Sequence, residues 1–305
     1  MIGEILADLF FPLLEEIAPH VPGEFFPYFF NGQTEALQRA MLASILVSVI
    51  AGFLGSFLLV RNLAMIGDGL AHVAFGGVIV GIILGATSPL WYAMLFSVIA
   101  SVSIYELQSR EILTGDASIA IFMTGMLALG LVILKLSNRA ITTEIQSYLF
   151  GSQLLIDWEH LNLISYVSIF SLYTLYLLRY GLLAITIDPL SARVQGLPVR
   201  GIGLMFSIII AAVVVSMVKI VGALLVTSLL VTPAATAQLI GRSFKSCLIW
   251  TQIFGLLSIF TGLYISAEHD AGAGSSIALV AATIFVIIAI SNELIKKLKT
   301  TDNID

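Results

Sequence analysis

An aspartate and a histidine lie four residues apart in an apolar stretch of this chain, and together they could bind a metal ion. Asp68 and His72 belong to the segment Met-Ile-Gly-Asp-Gly-Leu-Ala-His-Val-Ala-Phe, which starts at Met65. In a helix, side chains at i and i+4 share a face, with their Cβ atoms about 5–6 Å apart. A carboxylate beside an imidazole offers oxygen and nitrogen ligands to a divalent transition metal.

The surroundings of this pair favour a functional role over a plain hydrogen bond between helices. An aspartate at the centre of a membrane helix costs at least about 2.5–3.5 kcal/mol. If the helix starts near Arg61, Asp68 and His72 lie about 10–16 Å along it, close to the middle of a hydrocarbon layer about 30 Å thick. The same segment has Gly77, Gly81 and Gly85 at every fourth position, which predicts close helix packing.

The composition indicates that the bilayer is the main solvent of this chain. It is 59% hydrophobic and 11% charged, with a mean hydropathy of +1.04. A soluble domain has about 25% charged residues. The formal net charge of −5 provides no basic surface for nucleic acid, and the single Cys247 excludes an intramolecular disulfide or a multi-cysteine metal cluster.

Apolar stretches long enough to cross a bilayer, which takes about 20 residues each, fill most of the chain after residue 36. The run from 201 to 240 is almost continuous, so one of its halves could be a short or re-entrant helix. The sequence therefore predicts an all-α, polytopic transmembrane bundle of about 8–9 helices. The nine candidate stretches are 38–60, 64–85, 89–107, 116–136, 157–179, 201–219, 221–240, 247–266 and 275–295.

The two ends of the chain differ in charge. Residues 1–35 contain six acidic residues, four prolines and no Lys or Arg, which is typical of an extracellular or interfacial amphipathic leader. Lys and Arg concentrate in alternate loops and in the tail 296–305, whereas the intervening loops hold only Lys135, Arg139 and Lys219. The positive-inside bias predicts an outer N-terminus, a cytoplasmic C-terminus and an odd number of crossings.

A second group of metal-capable residues joins two spans at the predicted outer face. Glu268, His269 and Asp270 are consecutive, so at most two of them can point the same way. They could form a metal site or simply a solvated loop. Spacing alone does not decide whether they share a site with Asp68 and His72.

The segment 188–200 predicts a short helix between two spans on the cytoplasmic side. Asp188 suits the N-cap, Pro189 the first helical position and Gly196 the residue after the C-cap. Such a segment is either an ordinary connection or a docking helix for a soluble partner.

Missing motifs narrow the functional classes. The chain has no Gly-x-x-x-x-Gly-Lys-Ser/Thr loop, so we do not expect it to hydrolyse ATP alone. It also lacks His-Glu-x-x-His and Gly-x-Ser-x-Gly, the signatures of common metalloproteases and serine hydrolases. The alternatives to an ATP-driven importer are an ion-coupled secondary transporter and, less favoured, an intramembrane enzyme that uses Asp68 and His72 as acid and base.

Several motifs, in order along residues 38–295, resemble the zinc/manganese (ABC-3) transporter permeases. The stretch from Arg61 to His72 is similar to that family's Arg-x-x-Ser-x-x-Gly-Asp-x-x-x-His, with Ala64 in place of Ser. Further matches are Tyr-Leu-Phe-Gly at 148–151, Gly-Leu-Pro-Val at 196–199, Gly-Ala-Leu-Leu with Pro-Ala at 222–237 and Asp-Ala-Gly-Ala-Gly-Ser-Ser at 270–276. The leader lies outside this resemblance.

The resemblance implies a permease domain over 36–295 with a vitamin-B12-permease-like fold, in a bacterial plasma membrane. The partners it implies are a second copy of the chain, two cytoplasmic ATP-binding subunits that use the ATP, and an extracellular metal-binding protein. It implies Zn²⁺ or Mn²⁺ as the transported ion, with no permanently bound cofactor. Asp68, His72 and Asp270 would be metal ligands, whereas Glu268 and His269 rest on their chemistry alone. The coupling helix near 188–200 would meet the ATPase through Asp188, Pro189, Ser191, Arg193 and Gly196.

Overall fold

The computed structural model describes residues 2–32, 34–137, 142–152 and 156–301, so Arg139 and the last four residues of the predicted tail lie outside the described residues. Every element of regular structure in these ranges is a helix. The α-helices are α1 (Ile2–Ile17), α2 (Glu35–Val60), α3 (Ile66–Ile83), α4 (Leu90–Ser109), α5 (Gly115–Leu136), α6 (Thr143–Phe150), α7 (Trp158–Ile187), α8 (Pro189–Val194), α9 (Val199–Val221), α10 (Val226–Leu230), α11 (Thr232–Ile240), α12 (Phe244–His269) and α13 (Ala273–Thr301); two short 3₁₀ helices are Ala18–His20 and Phe26–Phe29.

Eight helices in the described ranges are long and apolar enough to cross a membrane, which confirms the predicted all-α polytopic bundle. They are α2, α3, α4, α5, α7, α9, α12 and the Ala273–Ile295 part of α13. Helices α2, α3 and α9 are the most buried, whereas less than a third of α5 and of the spanning part of α13 is buried.

The remaining predicted span, 221–240, is a broken segment made of α10 and α11. Pro233 lies in the first turn of α11, and because it has no N–H it cannot extend the hydrogen-bond ladder of α10. The segment still connects the two ends of the bundle. Gly274 abuts the carbonyl of Val221, and Asn292 Nδ2 donates to the carbonyl of Leu239 at 3.0 Å. The 18-residue separation of Gly274 and Asn292 corresponds to about 27 Å of helix, so the segment from Val221 to Leu239 runs beside α13 over that distance.

Glycines bring α3 close to its neighbours, as the four-residue spacing of Gly77 and Gly81 predicts, whereas Gly85 lies beyond the end of α3 and a Cβ there would have no atom within 4 Å. A Cβ at Gly77 would lie 2.8 Å from Ala93 Cα on α4, and one at Gly76 would lie 2.6 Å from the Met126 carbonyl oxygen on α5. Helix α3 is therefore held between α4 and α5 at backbone distance.

A second close approach, which we call the glycine junction, consists of Gly151, Gly222 and Gly274. The first two have φ values of 79° and 90°. The backbone amide of Ala223 donates to the Tyr148 carbonyl at 2.8 Å, and that of Ser152 donates to the Lys219 carbonyl at 3.0 Å. The junction joins α6, the end of α9 and the start of α13. We call the end of the bundle that contains the glycine junction the leader end. The opposite end, which contains α8, is the α8 end.

Residues 2–17 of the leader form helix α1, which packs against the core. The backbone N–H of Gly3 donates to Asn162 Oδ1 on α7 at 2.8 Å. The opposite side of α1 exposes an apolar stripe with the i, i+4 spacing of one helix face. The stripe consists of Ile5, Leu9, Leu13 and Ile17.

Candidate functional site

Asp68 and His72 share one face of α3, as predicted. His72 Nε2 lies 3.8 Å from Asp68 Oδ1. The His72 side chain is 13% exposed and the Asp68 side chain is 23% exposed. Their position along the helix differs from the sequence prediction, because α3 begins at Ile66 and not near Arg61. The pair therefore lies about 3 and 9 Å from the first residue of α3 instead of about 10–16 Å along a continuous helix.

The turn between α2 and α3 explains this later start. Asn62 adopts a left-handed conformation with φ of 55°. The N–H of Leu63 donates to the Leu58 carbonyl at 2.8 Å, and that of Asn62 donates to the Leu59 carbonyl at 3.1 Å. This Schellman arrangement ends α2 and lets α3 begin afresh, so Asp68 falls in a first turn, where the helix dipole favours a carboxylate.

Small neighbours let other helices approach the Asp68–His72 pair closely. Gly67 and Gly69 flank Asp68, and a Cβ on either would lie within 2.7 Å of Leu230 on α10 or Ile119 on α5. Buried polar atoms normally have a hydrogen-bond partner, but His72 Nδ1 has none among the described residues. The imidazole thus has one nitrogen facing a carboxylate and another without a protein partner.

The described residues supply no group of three or more His, Cys, Asp or Glu side chains that could hold a metal. Asp68 and His72 come together, but Glu268, His269 and Asp270 do not join them in such a group. Asp270 follows α12 in a left-handed conformation and lines a cavity of about 430 Å³ at the leader end, beside Tyr28 and Gly151.

The structure gives Glu268 a contact that sequence reasoning missed. Its carboxylate accepts the backbone N–H groups of Glu24 at 3.1 Å and of Phe25 and Phe26 at 2.9 Å each. The Phe26 ring packs edge-on against Tyr264, with centroids 5.5 Å apart. Glu268 therefore fastens the leader to α12. Its role as a metal ligand stays a prediction, and a metal ion would have to compete with the three amide donors for its carboxylate.

We expect Glu268→Gln to loosen the leader without unfolding the bundle. A neutral amide offers one carbonyl oxygen in place of two charged ones, and charge-assisted hydrogen bonds are the stronger kind. Limited chymotrypsin digestion should then cleave after Phe25 or Tyr28 several-fold faster than in the wild type, because cleavage follows local opening. Glu16→Gln, an exposed acid on α1, is the matched control, and equal cleavage of all three proteins would contradict the contact.

The predicted short helix at the α8 end is confirmed. Asp188 caps α8 by accepting the N–H groups of Leu190 at 2.9 Å and Ser191 at 3.2 Å, together with the Ser191 hydroxyl. Pro189 is the first helical residue, and Gly196 has φ of 82° just after the C-cap Gln195. The hydrogen bond from the Ser191 hydroxyl, with those from the backbone, lowers the pKa of Asp188 below its ordinary value.

Helix α8 presents apolar side chains away from the protein. Leu190 is 73% exposed and Val194 is 89% exposed, and their i, i+4 spacing puts both on one face. Arg193 of the same helix lines a neighbouring cavity of about 520 Å³. An exposed apolar face beside a cationic cavity is suited to contact with another protein.

Four arginines gather around that cavity, a grouping that motif reading did not find. Glu106 pairs with Arg200 at 2.7 Å and with Arg110 at 3.0 Å. The Arg61 guanidinium lies 5.1 Å from the centre of the Phe206 ring. These contacts tie the turn before α3, the end of α4 and the start of α9 to the neighbourhood of α8.

Comparison with known proteins agrees with this arrangement. Residues 33–292 match the ABC 3 transport family. The chain is 34% identical over 259 residues to the "High-affinity zinc uptake system membrane protein ZnuB" of Haemophilus influenzae, which covers 85% of this chain and 98% of that protein. It is 32% identical over 251 residues to the "Manganese transport system membrane protein MntC" of Halalkalibacterium halodurans, covering 82% of this chain and 85% of that one.

A solved structure shares the fold. A chain of "PsaBC from Streptococcus pneumoniae in complex with Fab" superposes with a TM-score of 0.74 and 30% sequence identity, covering 84% of this chain and 91% of that one. The matched family region begins where the leader ends and takes in α2 together with the paired Asp68 and His72. This chain, a multi-pass membrane protein, therefore belongs to the ABC 3 transport family.

Proposed function

We propose that this chain is the membrane-spanning permease subunit of an ATP-driven importer for a divalent transition metal, Zn²⁺ or Mn²⁺. The observation that carries the proposal is the Asp68–His72 pair, with His72 Nε2 3.8 Å from Asp68 Oδ1 on a membrane helix of an ABC 3 family member. Intramembrane ionisable residues are rare and mark ion pathways. The names of the relatives, which include a zinc and a manganese system, support both metals equally.

Asp68 and His72 would hold the ion only briefly. A structural zinc site has four protein ligands, whereas a transport site must also release its ion. Since the described residues offer no larger group, we propose that a homodimer brings the same two residues of a second copy to one shared pathway. Glu268, His269 and Asp270 would act separately, at the entrance on the leader end.

The α8 end would meet the ATP-binding subunits. Asp188 and Pro189 start α8, Ser191 closes its cap and Gly196 ends it, so these residues hold Leu190, Arg193 and Val194 in place for a partner. We propose that two cytoplasmic ATPases dock there, and that an extracellular metal-binding protein delivers the ion at the leader end. This orientation puts the N-terminus outside and the C-terminus in the cytoplasm of a bacterial plasma membrane.

ATP dependence tests the proposal against ion-coupled transport. We expect proteoliposomes that contain this chain and its ATP-binding subunit to take up radioactive Zn²⁺ or Mn²⁺ from the metal-binding protein only when ATP is present. Collapsing the proton and sodium gradients should leave that uptake unchanged. Uptake by the chain alone, driven by such a gradient, would contradict the proposal and favour a secondary transporter.

A further inference from the structure

A cleft between α2, α7 and α12 is not used by the proposed transport function. Its volume is about 840 Å³, which is within the range of small-molecule sites. Phe53 and Phe57 of α2, Leu175 of α7 and Leu248 of α12 line its apolar part. Such a surface is suited to hydrocarbon.

Two cations line the same cleft near the α8 end. Lys245 is the second residue of α12, and Arg179 lies eight residues before the end of α7, about 12 Å along the helix. The structure shows no carboxylate paired with either of them among the described residues. An apolar cleft with positive charge at one end is complementary to an amphipathic anion.

Two tyrosines hold the Arg179 guanidinium in place while leaving its charge uncompensated. Its Cζ lies 4.0 Å from the ring centre of Tyr176 and 4.6 Å from that of Tyr180, and Nη2 donates to the Tyr180 hydroxyl at 3.2 Å. Arg has five N–H donors in a fixed fork, so most of them remain available for an oxyanion. Tyrosines are also enriched at the level of the lipid headgroups, where one end of the ring is wet and the other apolar.

We propose that this cleft is a specific binding site for an acidic phospholipid. Arg179 and Lys245 would contact the phosphate, and an acyl chain would lie against Phe53, Phe57 and Leu175. Basic sites between membrane helices recognise anionic headgroups in this way, and Arg is well matched to a phosphate because it can donate two parallel hydrogen bonds. The inference does not depend on the transported ion.

Native mass spectrometry of the purified full-length protein in detergent tests the proposal. We expect phosphatidylglycerol to bind about tenfold more tightly than phosphatidylcholine with the same acyl chains, and the double variant Arg179→Gln/Lys245→Gln to lose that preference. Arg242→Gln changes an exposed cation just before α12 and is the matched control, which should keep the preference. Leu248→Trp should fill the apolar part of the cleft and weaken both lipids, and size-exclusion profiles should show that every variant is folded.

Several outcomes would overturn the proposal. Equal binding of the two lipids by the wild type, or an unchanged preference in the double variant, would show that the cations do not select the headgroup. Binding of inorganic phosphate with no lipid adduct would indicate a plain anion site. A change in the number of protomers without a change in lipid adducts would show that a second copy of the chain covers the cleft.

Discussion

We expect His72→Ala and Asp68→Asn each to abolish ATP-driven uptake of Zn²⁺ and Mn²⁺. Loss of an outer-shell partner of a metal site lowers affinity by about 10–100-fold, and removing a direct ligand should cost more. The pair offers only two ligands from this chain, so neither loss can be compensated by a neighbouring His, Cys, Asp or Glu among the described residues. Radioactive metal accumulation in cells that express the transporter measures the effect.

The expected loss is specific to the pathway and not to folding. Asp68→Asn removes a charge from the first turn of α3, where its interaction with the helix dipole contributes only about 0.3–1 kcal/mol. Both variants should therefore reach the membrane in normal amounts. Ser97→Ala is the matched control. Ser97 of α4 donates to the Leu70 carbonyl of α3 at 3.5 Å, but it is not a proposed ligand. Normal uptake by both the Asp68 and the His72 variants would remove the site assignment.

Local signals explain why some of the structure could be predicted from the sequence. Helix α8 depends on Asp188, Pro189 and Gly196, each of which affects only residues within one helical turn. Each occupies the position at the end of α8 that its residue type predicts. The long spans follow from apolar length, and the helix pair α3–α4 follows from the spacing of Gly77 and Gly81. In each case the residue type and its immediate neighbours determine the outcome.

Features that depend on contacts between distant parts of the chain could not be predicted from the sequence. Glu268 fastens the leader through residues about 240 positions earlier in the chain, a contact that its neighbours His269 and Asp270 do not predict. The predicted span 64–85 agrees with α3 within two residues, but the positions of Asp68 and His72 were counted from Arg61. Asn62, unlike a glycine, gives only a weak signal for the left-handed turn that separates Arg61 from α3. The grouping of Arg61 with Arg110, Arg193 and Arg200 likewise requires four separate segments to meet.

The leader illustrates how a segment outside the matched family region can still belong to the structure. The family match begins at residue 33, whereas Gly3 and Phe26 already contact α7 and α12. Both contacts reach residues inside the family region, at Asn162 and Tyr264. The leader therefore packs at a defined position on the bundle, next to the cavity that Asp270 lines.

We expect Gly222→Ala to destabilise the fold far more than a methyl group added to a glycine in open space. Gly222 has φ of 90° and ψ of 148°, close to a region that is essentially restricted to glycine and costs other residues about 1–3 kcal/mol. A Cβ there would also lie 2.4 Å from the Leu149 carbonyl oxygen and 2.5 Å from the Gly151 nitrogen. Overpacking adds about 1–3 kcal/mol, and both obstacles are backbone atoms that cannot rotate away.

Two other glycines separate the cost of the strained backbone conformation from the cost of overpacking. Gly125→Ala adds a methyl group in open space inside α5 and should be neutral or slightly stabilising, because alanine favours the helix by about 1 kcal/mol. Gly85→Ala adds one in open space at φ of 71°, so it should show the conformational cost alone. Thermal unfolding of the detergent-solubilised proteins should rank Gly125→Ala above Gly85→Ala, with Gly222→Ala lowest or not recoverable as folded protein. If Gly222→Ala unfolds at the same temperature as Gly85→Ala, then the close approach at the glycine junction adds nothing to the cost of the strained backbone.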